Sequence, residues 1–421
     1  MTAGADSTKE PTLPKESLPT LVRLCLFYAA IYLSSGVSLP YIGTYLRSRG
    51  MSGGEIGLIL AVPLLLKPFT GASLAVWADG FTLRRTPMIL LLVGAGLGYA
   101  GLLAAPNLWW FILAWFIGQT LLSTVSPLID VITLRRARLE NFNYGIPRGT
   151  GSSAFIAANL AMGAILTFAA PTIIAIWIAA ACFIGAVAAA LAVPPERVHA
   201  EGAKPDRSER WKGLSDLLSN RTFVLAVVTA GLIQGAHAFY YGFSAILWRK
   251  QGISEPMIGI LWGVGVAAEV GFMWFLEPLR RRWGPERFLI LGASAAVLRW
   301  TCYAFEPPLW ALFPLQMLHA MTFAASFLAS LRLIEKLAPP AAASPAQAIN
   351  SALSSGFTLG IATLASGPLF DALGAKGYLA VAFMALLGLG GAILLARNAR
   401  PQVTQARHPN TAHPRESGDP S

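Results

Sequence analysis

The phrase RSRGMSGGEIG at residues 47–57 returns as RKQGISEPMIG at residues 249–259. Arg47, Gly50, Ser52, Ile56 and Gly57 recur as Arg249, Gly252, Ser254, Ile258 and Gly259, at a constant offset of 202 residues. Each copy joins two long apolar runs. A short turn repeated between such runs predicts a chain of two homologous halves that cross lipid in the same direction.

Composition supports lipid as the solvent: 55% of residues are hydrophobic, 13% are charged, and the mean hydropathy is +0.57. A hydrocarbon core of about 30 Å needs roughly 20 helical residues. Runs of that length fall at 21–46, 55–78, 87–105, 108–134, 147–169 and 171–193, and again at 222–248, 256–279, 287–305, 308–331, 345–370 and 377–396. The expected fold is therefore an all-α integral membrane protein, with twelve transmembrane helices in two six-helix pseudo-symmetric bundles, 21–193 and 222–396. A polar linker over 194–221 separates them. Residues 1–20 and 397–421 read as cytoplasmic tails, the second disordered. The first span is too long for a cleaved leader and is expected to remain as a helix.

Basic residues mark the cytoplasmic side. Alternate loops carry Arg84 and Arg85; Arg135, Arg136 and Arg138; six between Arg197 and Arg221; Arg280, Arg281, Arg282 and Arg287; and Arg332 and Lys336. The opposite loops hold Arg47, Arg49, Arg249, Lys250 and Lys376. Both termini are thus expected in the cytoplasm, and the net charge of +11 reflects topology and calls for no nucleic-acid partner. Cys25, Cys182 and Cys302 are isolated within apolar spans and read as packing residues.

An ionisable group at membrane depth is costly unless paired or hydrated, and so marks function. Asp130 and Arg148 lie nine residues either side of Leu139, and Glu269 and Arg299 lie fifteen either side of Gly284, so each pair should meet at equal depth. Polar residues at helical spacing extend these pairs. Span 4 offers Gln119, Ser123, Ser126 and Asp130, and span 5 offers Arg148, Ser152, Phe155 and Asn159. Span 1 adds Tyr28, Tyr32 and Ser35, span 7 Gln234, His237 and Tyr241, and span 10 Gln316 and His319. Such stripes on several helices predict a hydrated cavity between the bundles. Lys67 lies near enough to the cytoplasm to snorkel and reads as a structural or gating residue.

These residues resemble the major facilitator superfamily, in the branch that holds the lactose permease and the phenylpropionate permeases. The loop WADGFTLRR is similar to the superfamily's signature loop through Asp79, Arg84 and Arg85, with Gly80 and Thr82 departing from it. NYGIPRGTGSSAF resembles the segment with the sugar symporters' substrate-binding arginine, here Arg148, with Asp130 in place of its partner glutamate. QGAHAFYYGFSAILW, LWGVGVAAE and QMLHAMTFAAS resemble the phenylpropionate-permease branch.

The resemblance implies proton-coupled import of a small organic solute by alternating access in a bacterial inner membrane, by a monomer without cofactor. Glu269, Arg299, His319 and Asp130 would couple protons. Arg148, Phe155, Tyr28, Tyr32, Gln234, His237, Tyr241, Trp262 and Gln316 would bind solute, and Asp79, Arg84, Arg85 and Lys67 would gate. Thr322 stands where the sugar symporter carries its proton-bearing glutamate, so Glu269 is favoured as carrier. Such a carboxylate holds a proton by burial and releases it when Arg299 approaches. Phe155 replaces the tryptophan that stacks on galactose, which disfavours a disaccharide. An aromatic carboxylate such as 3-phenylpropionate, with Arg148 or Arg299 as counter-ion, is favoured over a nucleoside or sugar. Proton-driven export of drugs or metabolites is the alternative on the same fold. No nucleophile–base set, metal-spaced cluster or phosphate loop points to an enzyme.

Overall fold

A computed structural model describes residues 19–196, 217–275, 282–339 and 342–405. The expected termini 1–18 and 406–421, most of the linker, and Arg280 and Arg281 of the basic loop lie outside the described residues. The first half comprises α1 (Thr20–Ser48), α2 (Gly53–Asp79), α3 (Arg85–Gly101), α4 (Leu108–Leu139), α5 (Gly145–Ile165) and α6 (Thr172–Ala192). The second comprises α7 (Arg221–Gly235 continuing as Ala238–Lys250), α8 (Glu255–Phe275) and α9 (Pro285–Tyr303). Next come α10 (Leu309–Met317 and Ser326–Leu337 about a π segment, Ala320–Ala325) and α11 (Ala343–Asn350 and Leu359–Leu373 about a π segment, Ser351–Thr358). The last helix is α12 (Tyr378–Gln405), so residues 397–405 are helical where the sequence suggests a disordered tail.

Eight helical stretches among the described residues are long and apolar enough to span a membrane, and one of them, Pro345–Asn398, contains both α11 and α12. Those left out have local reasons. α3 has 17 residues, α5 is diluted by Arg148, Ser152, Ser153 and Asn159, and α9 carries Glu286, Arg287 and Arg299.

Local chemistry sets the helix ends. Ser52 and Glu55 form a reciprocal capping box at the start of α2, and the Asn107 and Asn220 side chains accept from the first free N–H groups of α4 and α7. Gly50 and Gly252, the paired turn residues of the repeat, have φ of 84° and 82°, a left-handed conformation that glycine adopts without strain. The duplicated phrase is thus a duplicated backbone.

Packing repeats as well. α1 packs on α5 and α6, α3 on α4 and α6, and α2 on α4. Shifted by six, the same scheme joins α7 to α11 and α12, α9 to α10 and α12, and α8 to α10. The halves meet through α2 against α11, α5 against α8 and α1 against α7. At the side of the repeated turns this approach is backbone to backbone. A Cβ on Gly53 would lie 2.7 Å from the Gly367 carbonyl oxygen, and one on Gly43 would run into that of Gly242. The Asp371 carboxylate adds a polar tie across the halves, accepting from the Gly53 and Gly54 N–H groups at 2.8 Å each. At the opposite, basic side, charges pair within each half. Glu196 binds Arg136 at 2.6 Å and accepts the Arg84 N–H at its carbonyl, while Glu286 binds Lys336 at 3.0 Å.

Candidate functional site

Three helices of the second half bring Glu269 (α8), Arg299 (α9) and His319 (α10) together. His319 stands between the other two. Its Nδ1 lies 2.8 Å from Arg299 Nη1, and its Nε2 lies 2.8 Å from Glu269 Oε1. The expected acid–base meeting of Glu269 and Arg299 therefore runs through an imidazole. Arg299 is fully enclosed. It donates to Gln316 Oε1 and to Thr322 Oγ1, and its guanidinium carbon lies 4.6–5.5 Å from the ring centroids of Tyr240, Trp300 and Tyr303. Gln316 is held in turn by the Tyr303 hydroxyl, which donates to its Oε1, and by Tyr240, which accepts from its Nε2, at 3.0 Å each.

His237 sits where α7 breaks, so its side chain faces inward rather than along a continuous helix. Its Nε2 is 3.0 Å from Thr322 Oγ1 and its Nδ1 3.1 Å from the Gln234 carbonyl. Gln234 donates to Ser326 and the Phe323 carbonyl. His237 and Gln234 are thus structural parts of the same buried network, centred on the π segment of α10, a backbone form frequent at functional sites.

The first half is arranged differently. Among the described residues no ion pair joins Asp130 to Arg148. Asp130 instead accepts from Tyr28 at 2.5 Å and Tyr144 at 2.9 Å. Tyr144 caps α5 and reaches back over the α4–α5 turn, so a phenol takes the place expected for the guanidinium. Arg148 is half-buried and lies 4.8 Å from the centre of the Tyr32 ring. Arg148 stands on α5, which packs against α8, the helix that carries Glu269 in the other half. A cavity of about 220 Å³ opens beside them between α1 and α4, lined by Ile31, Tyr32, Ser35, Gln119, Leu122, Ser123 and Ser126.

The aromatic walls expected around a solute are mostly taken. Tyr240 and Trp262 stack at 4.5 Å and are 1% and 2% exposed, and Phe155 is buried on α5, its backbone against Gly36 of α1. Tyr241 is half-buried beside Trp262 and His237. Of the expected gating residues, Lys67 lies half-buried on α2 between Pro63 and Pro68, Asp79 ends that helix, and Arg85 donates weakly to the Ala190 carbonyl at 3.5 Å. Sequence reasoning missed Tyr144, Glu196, Tyr303 and Asp371. Tyr303 was discoverable, four residues after Arg299 on the same helix face. The partners of Glu196 and Asp371 are fixed only by tertiary packing.

Comparisons with known proteins agree with this architecture. Residues 21–380 match the MFS_1 like family. The chain is 28% identical over 364 residues to the "Probable 3-phenylpropionic acid transporter" of Escherichia coli (strain K12), covering 86% of this chain and 94% of that one. It is 28% identical over 384 residues to the maltose permease of Geobacillus stearothermophilus, covering 89% and 94%. Among solved structures it resembles the nucleoside transporter NupG, with a TM-score of 0.75 at 16% identity over 93% of this chain and 100% of that one. A bacterial homologue of the lysosomal transporter Spinster in an inward-facing, unoccupied conformation gives a TM-score of 0.68 at 14% identity over 90% and 96%.

Proposed function

This chain belongs to the MFS_1 like family of the major facilitator superfamily, and as a multi-pass secondary transporter of that type we propose that it imports a small organic carboxylate together with a proton. The reading places all twelve helices across a bacterial inner membrane, with both termini and the basic loops in the cytoplasm. The side of the repeated turns then faces outward and is closed across the halves, while the cytoplasmic charges pair within each half, the arrangement of an inward-facing state.

One observation carries the coupling: Glu269 is held by His319 within its own half and stands on α8, which packs against α5, the Arg148 helix of the other half. Arg299 is fully enclosed, with both terminal nitrogens held by His319, Thr322 and Gln316, which leaves Arg148 as the cation for a solute anion. A carboxylate bound at Arg148 offsets that positive charge, so the anion and a proton on Glu269 favour one another. By linkage the proton strengthens anion binding equally. Burying the pair together leaves the site near neutrality, which favours the rocking of the two halves that carries both across.

The carboxylate class is further supported by the relative named for 3-phenylpropionic acid. The test is uptake of a panel of labelled organic acids, aliphatic, hydroxylated and aromatic, with 3-phenylpropionate among them, beside a nucleoside and a galactoside, into energised vesicles with wild type or Glu269→Gln. Proton-driven accumulation of at least one acid, lost in the variant while exchange survives, is expected. Accumulation of none of these solutes in either membrane orientation would redirect the search to export.

A further inference from the structure

The cavity between α1 and α4 can be read for what it leaves free to bind. At about 220 Å³ it is smaller than the roughly 300–1,000 Å³ of pockets for drug-sized ligands. Gln119 has its Oε1 occupied by the Tyr99 hydroxyl at 2.8 Å, so its NH₂ is left to donate. Ser123 donates to the Thr120 carbonyl at 3.0 Å, so its oxygen is left to accept. The Ser126 and Tyr32 hydroxyls bond each other, which leaves one donor and one acceptor between them, and the Ser35 hydroxyl can do both. Donors and acceptors interleaved in one small space match hydroxyl groups, which themselves donate and accept. An alkyl or phenyl group there would strand several polar groups away from water. The large aromatic faces that a ring would need are stacked on one another in the second half, with Tyr240 and Trp262 nearly inaccessible. The cation lies beside the polar cavity, because Arg148 rests on the same Tyr32 ring that lines it.

We propose that the transported anion is a hydroxylated aliphatic carboxylate, with its carboxylate at Arg148 and its hydroxyl groups in the α1–α4 cavity. This rests on the carboxylate reading of the site and narrows it, away from an aromatic acid. Gln119 and Ser123 then determine specificity, and Arg148 determines affinity for any acid.

Exchange in proteoliposomes containing the full chain tests this without reference to direction or proton gradient. Labelled gluconate would be exchanged against unlabelled gluconate, hexanoate, 3-phenylpropionate or sorbitol. Gluconate is expected to exchange at least about tenfold more effectively than the others. Gln119→Leu and Ser123→Ala should each cut its preference over hexanoate about fivefold, the loss of one hydrogen bond. Arg148→Gln should weaken both acids alike. Hexanoate or 3-phenylpropionate exchanging as well as gluconate, with neither cavity variant altering the ratio, would overturn the hydroxylated class and leave the carboxylate reading standing. If no acid exchanges, whether or not sorbitol does, both readings fall.

Discussion

Arg299 decides which nitrogen of His319 carries the ring proton. Arg299 Nη1 lies 2.8 Å from His319 Nδ1, and a guanidinium can only donate, so Nδ1 accepts. The ring proton then sits on Nε2 and points at Glu269 Oε1, 2.8 Å away. A second proton on Nδ1 would meet an N–H of Arg299 head-on.

On the proton-coupled reading proposed above, His319 then orients Glu269 and is not the proton carrier. Uptake measured against external pH should keep its shape and midpoint in His319→Asn, at reduced rate, since Asn retains a donor and an acceptor. Glu269→Gln should remove the proton-driven component. A pH response that vanishes in His319→Asn and persists in Glu269→Gln would assign the proton to the imidazole instead.

The two membrane arginines should fail in opposite ways. Arg299 is enclosed and holds His319, Gln316 and Thr322, so Arg299→Met strands buried polar groups and should destabilise the protein by about 3 kcal/mol or more. Arg148 rests on one ring, a contact worth about 0.5–1 kcal/mol. Arg148→Gln should therefore leave thermal unfolding in detergent nearly unchanged while weakening solute binding about tenfold. Equal losses of stability would contradict the division of roles.

The duplicated phrase and the apolar runs made the helices and their pairing legible, because lipid leaves a chain few ways to satisfy its backbone. The helix bounds lie within a few residues of those read from hydropathy for most spans, and Gly50 and Gly252 adopt matching turns. The cluster of Glu269, Arg299 and His319 was legible for the same reason, since residues at equal depth on neighbouring helices are within reach of one another. The partnering within it was not. Depth says that Asp130 and Arg148 are level, but Tyr28 and Tyr144 reached Asp130 first, and two phenols satisfy a carboxylate without the cost of burying a second charge. The breaks in α7, α10 and α11 also left no plain trace, because a π segment or a kink made of Ala, Ser and Gly reads as ordinary helix.

At the side of the basic loops, Glu196 should contribute to conformation more than to stability. The Glu196 side chain is only 6% exposed, but its partners Arg136 and Arg135 are 28% and 37% exposed, and pairs open to solvent on one side are worth about 1 kcal/mol. Glu196→Gln should shift unfolding by no more than that, with the difference shrinking in 1 M salt as screening grows. A loss of several kcal/mol would mean that the loop it ties is part of the folded core.

Closure at the side of the repeated turns, outward on the proposed orientation, should depend on Asp371. Its carboxylate caps α2 from the other half, accepting from Gly53 and Gly54 at 2.8 Å each, and a lost cap costs about 1 kcal/mol. Because α2 and α11 must separate there for the site to face outward, that energy belongs to the closed state alone. Asp371→Ala should raise the outward-facing population about fivefold, the equivalent of 1 kcal/mol, while the fold persists. Thr363 packs against Gly57 in this seam and is 5% exposed. The outside alkylation rate of Thr363→Cys, with Cys25, Cys182 and Cys302 changed to serine, should therefore rise by a similar factor in the Asp371→Ala background. An unchanged rate would show that the glycine contacts hold the seam without the cap.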